Sequence, residues 1–293
     1  MGTFPLIIVI LSAVMHASYN YLVKTSANKT IFIWSMYSFA LVIVLIVSLF
    51  LPRDLLIPGD GTVLLYAALS ALFFTFYNLF AGKAYSSEEG DLSVSYPLST
   101  TAPVYIPVWA HFVLHETISV QAIFGILIVV TGTYLIQVNS SITHFRPKKI
   151  SFRNKAVRYA LLAGFLYSFG AIADKIGVMR SNFFVFTSCV IVLMFFYFTA
   201  VVLSSSRLRA DLFQSYRTSP FKVMLSGVVL WLSFYLFRYA LSITEVSYAA
   251  CVRQISSLFG VLLGIYILKE PYGRIRLIST LFIIVGIVLI KLG

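Results

Sequence analysis

Charge is what this chain has least of. Only 11% of its 293 residues are charged, whereas 60% are hydrophobic. A soluble domain carries about 25% charged residues, and a chain with so little polar surface cannot cover itself in water. Disorder is excluded as well, because disordered segments combine low hydrophobicity with high charge. The composition therefore predicts an all-α polytopic membrane protein.

Cysteines and acidic residues are also few. Cys189 and Cys251 both lie in apolar stretches, which indicates packing roles rather than a disulfide framework. The ten acidic residues include only one, Asp174, inside a predicted membrane span, and it lies near the end of that span. We therefore expect no carboxylate at the bilayer centre. Exchange of protons for cationic drugs usually needs such a carboxylate, so this pattern disfavours that class of transporter.

Signatures of enzymes are missing too. The chain has no GxSxG, Walker A or dinucleotide-binding motif, so we expect no enzymatic activity and no cofactor. His111 and His115 share a helix face and precede Glu116, an arrangement that suits a metal. No third ligand follows at a fixed spacing, so we expect no metal site.

Apolar segments long enough to cross a bilayer fill most of the chain. A membrane helix needs about 20 mostly apolar residues, and ten segments meet this criterion. They cover approximately residues 4–23, 31–50, 62–85, 92–114, 118–138, 156–177, 183–204, 220–243, 246–268 and 273–292. The sequence thus predicts ten membrane spans, numbered here 1 to 10, with short connections.

The chain also contains a weak internal repeat. A shift of 151 residues aligns Lys24 with Lys175, and a shift of 154 aligns Glu116 with Glu270. Each half has five spans, an odd number, so the halves must cross the membrane in opposite senses. We predict a first five-helix repeat over 1–140, a basic connecting loop over 141–155, and a second repeat over 156–293. Glu116 and Glu270 begin spans 5 and 10, where we expect each to meet the positive end of its helix dipole.

Basic residues are distributed unevenly between the two sides of the predicted membrane. Of the 22 lysines and arginines, fifteen are assigned to one face of the membrane and four to the other, in loops or at the ends of spans. The positive-inside rule places the richer side, with the central loop, in the cytoplasm and both termini outside. We expect a multi-pass protein of the cell (inner) membrane. Topology and the lipid bilayer account for the net charge of +12, so we expect no nucleic-acid partner.

Three basic residues belong to neither face: Lys83, Arg238 and Arg253. Arg253 lies eight residues after Glu245, which places it roughly 12 Å into the hydrocarbon. A charge at this depth should face a polar cavity or a partner, and Gln254 beside it is polar. Arg253 is the candidate ligand for a negatively charged group, although a structural bond to helix carbonyls is the alternative. Lys83 and Arg238 are predicted to be shallower, either binding substrate or reaching the headgroups.

Two further spans carry polar side chains on one face. In span 1, His16 and Asn20 are four residues apart, with Tyr19 beside them. Such a stripe either lines a pore or forms hydrogen bonds between helices.

Span 4 combines three prolines with Tyr96, Ser99 and Thr100. Interrupted spans often mark the binding site of a transporter, so these side chains are candidates for its wall. A kink that serves only packing is the alternative.

The pattern resembles a known family. The fourth span of each half ends at an acidic residue, in Leu114-His115-Glu116-Thr117 and in Leu268-Lys269-Glu270-Pro271. The first span contains His16-Ala17-Ser18-Tyr19-Asn20, which is similar to a family motif that has Trp at the position of Tyr19. These features resemble the drug/metabolite transporter superfamily, EamA type. The resemblance implies ten helices in two inverted five-helix repeats around a central cavity, lined by spans 1, 3, 4, 6, 8 and 9.

We therefore predict a secondary transporter that moves a small anionic or zwitterionic metabolite, amino-acid-like or an organic acid, by alternating access of the two halves. The alternatives are a flippase for a lipid-linked or phosphate-bearing headgroup and a non-transporting membrane subunit. We expect a small-molecule substrate and a monomer or homodimer.

Overall fold

The structure, a computed structural model, describes residues 1–56, 61–85, 98–99, 101–137, 153–256, 258–259 and 274–293. All regular secondary structure in these ranges is helical. The helices are α1 (Thr3–Lys24), α2 (Lys29–Leu49), α3 (Gly61–Tyr85), α4 (Ala102–Leu114), α5 (Val120–Gln137), α6 (Lys155–Arg180), α7 (Phe183–Leu203), α8 (Ser206–Ala210), α9 (Gln214–Thr218), α10 (Pro220–Ile243), α11 (Val246–Val252) and α12 (Arg274–Leu292), with a 3-10 turn at Arg53–Leu56.

Six of these helices, α1, α2, α3, α6, α7 and α10, are long and apolar enough to cross a membrane. Large apolar side chains such as Leu49, Phe50, Phe112 and Phe221 are exposed on the outside of the protein. An exterior of this kind suits hydrocarbon rather than water. The prediction of a multi-pass, all-helical membrane protein is confirmed.

The number of spans is only partly tested. Predicted spans 5 and 10 correspond to α5 and α12, whose apolar parts are shorter. Spans 4 and 9 are represented by α4 and α11, and most of the remainder of both spans lies outside the described residues. The ten-span count therefore stays a prediction.

The residues that cap the starts of α2 and α7 occupy equivalent positions in the two repeats. The Asn28 side chain accepts a hydrogen bond from the Ile31 amide and caps α2, and the Asn182 side chain accepts one from the Phe184 amide and caps α7. Asparagine is favoured at this position because its side-chain oxygen satisfies an amide that has no helical partner. The two asparagines are separated by the same 154 residues as Glu116 and Glu270, so the repeat extends to local capping.

Helix contacts follow the repeat as well. Helices α1, α2, α3, α4 and α5 correspond to α6, α7, α10, α11 and α12. The contact of α1 with α10 matches that of α6 with α3, and the contact of α2 with α10 matches that of α7 with α3. Three contacts join a helix to its own counterpart: α2 with α7, α4 with α11, and α5 with α12. This pattern is that of two repeats related by a pseudo-two-fold axis.

The two sequence halves are intertwined rather than side by side. Among the most extensive helix contacts are those of α3 with α6 and of α1 with α10, and each joins one half to the other. We call α3, α4, α6 and α7 the first bundle, and α1, α2, α10 and α11 the second bundle. The repeat exchanges these two bundles, and each contains helices from both halves. Helices α5 and α12 form a separate pair.

Glycines allow the backbones of α5 and α12 to approach closely. A Cβ atom on Gly125 would lie 2.7 Å from the Gly286 carbonyl oxygen, and one on Gly132 would lie 2.8 Å from the Ser279 carbonyl oxygen. The 154-residue shift relates Gly132 to Gly286 and Gly125 to Ser279. Small residues at such positions are typical of helix packing in membranes, and here both contacts obey the same symmetry.

The Gly286→Ala variant tests this helix crossing. Its new Cβ would meet backbone atoms of Gly125 and Val129 at 2.7 and 2.8 Å, so we expect a loss of about 1–3 kcal/mol in the free energy of unfolding. Thermal unfolding of the purified protein in detergent measures the loss. Gly82→Ala is the matched control, because nothing lies within 4 Å of its Cβ. Equal melting temperatures for the two variants would contradict the packing described.

Candidate functional site

Arg253 is buried at the end of α11. Its side chain is 9% exposed and it forms the C-cap of the helix. Its Nη2 lies 3.3 Å from His16 Nδ1 and 3.4 Å from Ser233 Oγ, and its guanidinium carbon lies 3.9 Å from the centre of the Phe237 ring. All of these neighbours are uncharged groups or an aromatic face.

Part of the Arg253 guanidinium has no hydrogen-bond partner among the described residues. Within the described residues, Arg253 Nε has no hydrogen-bond partner and no carboxylate lies at ion-pair distance from Arg253. Burying an ionised group without a counter-charge is costly. The site therefore has the chemistry to receive one negatively charged group.

His16 acts as a hydrogen-bond acceptor toward Arg253. Arginine has no acceptor, so it donates to His16 Nδ1, and the Tyr19 hydroxyl lies 2.6 Å from the same atom. The ring proton is then on Nε2 and His16 is neutral. Tyr19 is buried, whereas the Asn20 side chain is exposed and the Lys24 side chain lies outside the described residues. Of the predicted stripe, the structure brings His16 and Tyr19 to Arg253.

Arg238 has a different environment from the one predicted. It is 2% exposed, and its Nη2 lies 2.9 Å from Oδ2 and 3.0 Å from Oδ1 of Asp174, which is also 2% exposed. The Ser70 hydroxyl donates to Asp174 Oδ1, and the Phe234 ring covers the guanidinium. Arg238 therefore pairs with a buried carboxylate inside the protein instead of extending outward, which does not favour the expectation that it reaches the headgroups.

The local cause is the position of Asp174 within its helix. Helix α6 continues for six residues after Asp174, to Arg180, so the carboxylate lies inside the helix bundle rather than at a loop. The side chains of α10 then lie on two adjacent faces of the helix. Ser233 and Phe237 are one turn apart and face Arg253, whereas Phe234 and Arg238 occupy the adjacent stripe that faces Asp174.

The remaining predicted site residues are dispersed. Gln254 is half-buried next to Arg253, and Ser99 is buried. Lys83 is exposed, with its Nζ 5.4 Å from the centre of the Phe80 ring and 5.9 Å from that of Tyr159. Tyr96 and Thr100 lie outside the described residues. Direct contacts therefore link Arg253 to His16 and, through it, to Tyr19, but not to Lys83.

Glu116 has a role that the sequence did not reveal. Its Oε1 accepts the Val246 amide at 2.8 Å, and its Oε2 accepts the Ser247 amide at 3.2 Å and the Ser247 hydroxyl at 2.6 Å. Glu116 therefore caps the start of α11. The expectation that it caps the helix after it, α5, is wrong, although the electrostatic principle is the one predicted.

A turn at the end of α4 aims Glu116 across to α11. His115 adopts a left-handed conformation with φ 54°, and the Glu116 amide donates to the Ala110 carbonyl at 3.2 Å. His111 Nδ1 lies 3.2 Å from the Glu116 carbonyl and donates to it. The described residues contain no group of three metal-ligating side chains, and His111 serves this turn.

Lys175 holds the end of α10 in a complementary way. The sequence assigns it to the face with four basic residues. Its side chain is 9% exposed, and its Nζ donates to the Leu241 and Thr244 carbonyls at 2.7 and 2.8 Å. A cation at a helix C-terminus satisfies carbonyls that have no helical partner. We call Glu116, Lys175 and the groups they bind at 241–247 the charged clamp.

An open hollow of about 270 Å³ lies elsewhere, between α8 and α9. Its charged and polar lining comprises Arg209, Asp211, Gln214, Arg217 and Thr218. This hollow is not at Arg253, so we do not assign it to the candidate site.

Comparison with known proteins identifies the class. The sequence pattern of the EamA-like transporter family matches residues 3–138 and 154–292, so the chain belongs to that family of membrane transporters. The resemblance seen in the sequence, including the two-repeat architecture, is confirmed.

Similar solved structures include a crystal structure of a protein at 13% identity, with a TM-score of 0.74 and coverage of 99% of this chain and 97% of the other. At this identity the likeness concerns the fold. A search of curated proteins finds no match.

Breaking the buried ion pair tests its contribution to stability. Asp174→Asn leaves Arg238 buried without its counter-charge, so we expect a loss of about 3–5 kcal/mol in the free energy of unfolding. Adding Arg238→Met removes the unpaired cation and should restore part of that loss. Thermal unfolding of the three proteins in detergent gives the comparison. A double variant no more stable than Asp174→Asn would contradict the assignment.

Proposed function

We propose that this chain is a secondary transporter of a small anionic or zwitterionic organic metabolite, and that Arg253 binds the negative group. Membership of the EamA-like transporter family supports transport of a small molecule. The observation that carries the rest is the buried guanidinium of Arg253, whose described partners are neutral.

The comparison with Arg238 explains this choice. Both arginines are buried, but Asp174 neutralises Arg238 while no described carboxylate neutralises Arg253. A carboxylate arriving at Arg253 would supply the missing counter-charge and could use its unpartnered Nε. Because Phe237 covers one face of the guanidinium, the substrate has to approach the edge, which is where arginine makes planar paired hydrogen bonds.

Alternating access would occur between the two bundles rather than the two sequence halves. The contacts of α3 with α6 and of α1 with α10 join the halves extensively, so the halves cannot separate as units. The bundles contact each other instead through α2 with α7 and α4 with α11, through the Asp174–Arg238 pair and through the charged clamp. Because Asp174 is adjacent to Lys175 in α6, the ion pair and the clamp lie toward the same end of the protein.

The flippase alternative relied on Arg238 and Lys83 as phosphate ligands near the headgroups. Pairing of Arg238 with Asp174 and the position of Lys83 over Phe80 and Tyr159 give it less support than the metabolite transporter. A non-transporting subunit would have no need for an uncompensated buried cation.

The proposed orientation places the central loop in the cytoplasm of a cell (inner) membrane protein, because basic residues concentrate on that side. A reporter active only outside the cytoplasm, fused after Gly293, should be active. Activity of a cytoplasmic reporter at the same position would reverse the orientation.

Variants of Arg253 test the substrate site. Arg253→Ala should lower binding and uptake of carboxylate-bearing substrates at least about tenfold, because a charge-assisted hydrogen bond is worth about 1.5–3 kcal/mol. Arg253→Lys keeps the charge but loses the planar fork, so its activity should be intermediate. The measurement is a ligand-induced shift in melting temperature across anionic, zwitterionic and cationic metabolites, followed by uptake into proteoliposomes.

Lys222→Ala is the control for loss of a cation, since Lys222 is exposed on α10. Full activity of both Arg253 variants would refute the assigned role, and a panel in which only cations bind would refute the substrate class.

A further inference from the structure

The charged clamp places opposite charges at the ends of two consecutive helices. The Lys175 ammonium binds the carbonyls that end α10, and the Glu116 carboxylate binds the amides and hydroxyl that begin α11. Each charge opposes the dipole of the helix end it meets. The clamp therefore stabilises the break between α10 and α11 at Thr244 and Glu245, where the helical hydrogen bonding is interrupted.

Every hydrogen bond of the clamp crosses between the bundles. Glu116 follows α4 and Lys175 lies on α6, both in the first bundle, whereas α10 and α11 belong to the second. Glu116, Lys175, Thr244 and Ser247 are all buried. At this end of the protein, the bundles are thus joined by polar contacts that exclude water.

Helix α11 connects the clamp to Arg253. Glu116 binds its first two residues and Arg253 is its C-cap, so seven residues, about 10 Å, separate the two. A rigid helix of this length transmits a displacement at one end to the other. Movement of α11 away from Glu116 therefore moves Arg253 as well.

We propose that the charged clamp is a gate that closes one end of the transport path, and that α11 links the state of this gate to Arg253. The proposal rests on the transport function proposed above. When the bundles separate at this end of the protein, the hydrogen bonds of Glu116 to Val246 and Ser247 break, and water reaches the buried groups. By the charge distribution of the loops, this end faces the outside.

The nature of the contact suits a gate. Three hydrogen bonds to one carboxylate can break together and re-form without repacking of apolar side chains, and in the open state water can satisfy the same groups. The long Lys175 side chain can release the α10 carbonyls in the same movement.

A reversible cross-link distinguishes a gate from a static joint. In a background with Cys189→Ala and Cys251→Ala, Glu116→Cys and Ser247→Cys put thiols on the two side chains whose carboxylate and hydroxyl lie 2.6 Å apart. Because cysteine is shorter than glutamate, a short cross-linker is needed to span the two sulfurs. Treatment with a short, reducible bis-thiosulfonate should stop uptake, and reduction should restore it to the level before treatment. Uptake that continues at full rate after complete cross-linking would overturn the proposal.

Thiol accessibility gives a second measurement that needs no substrate. Ser247→Cys should react slowly with a membrane-impermeant thiol reagent, because Ser247 is fully buried. Adding Glu116→Gln should raise the reaction rate roughly tenfold, the effect of losing one charge-assisted hydrogen bond. Right-side-out and inside-out vesicles identify the side from which the reagent enters.

Glu245→Gln is the matched control. It removes an exposed acidic residue at the same break between helices, and the only side-chain hydrogen bond of Glu245 in the described structure is the one it accepts from the Thr244 hydroxyl. It should leave the reaction rate unchanged. If the thiol introduced by Ser247→Cys reacts equally fast with Glu116 intact and with Glu116→Gln, the gate proposal is overturned. If cross-linking stops uptake but no anionic metabolite binds, the gate stands and the assignment of Arg253 fails.

Discussion

Helix ends that are buried away from water leave backbone groups without partners, and this structure depends on how that problem is solved at Thr244 and Glu245. Water cannot reach these groups, so side chains must satisfy them. Lys175 and Glu116 do so, one for each helix end. The position of α11, and with it the depth of Arg253, follows from those two contacts. The position of the candidate site therefore depends on how the break between α10 and α11 is stabilised.

Much of the architecture could be predicted because it depends on local composition. Apolar segments and the loops between them predicted α1, α2, α3, α6, α7 and α10, and the repeat followed from charged residues at matched spacings. That Arg253 should lie inside the protein followed from its distance along the chain after Glu245, and its side chain is buried. These inferences need no knowledge of which helix contacts which.

Other features depend on tertiary contacts and could not be predicted in that way. Asp174 looked like a residue near a helix end, but α6 continues past it and α10 brings Arg238 against it. Glu116 could be assigned to a helix start by its charge, but not to one 130 residues away.

The two buried arginines show how similar residues come to serve different purposes. They lie on consecutive helices, and an aromatic ring of α10 covers each guanidinium. Only Arg238 has a carboxylate in the described structure, so it ties the bundles together. Arg253 faces a neutral histidine and a serine hydroxyl and keeps its capacity to bind an anion. Neutralisation, rather than burial, separates a structural arginine from a candidate ligand.

The contacts between equivalent helices have an implication for the origin of the chain. Helices α2, α4 and α5 each touch their own counterpart, and a contact of this type is the one that two identical copies form around a two-fold axis. A half-length ancestor inserted in both orientations would already have had these interfaces. Joining two such copies in tandem would have allowed each to acquire its own side chains, which is the difference now seen between Gly125 and Ser279.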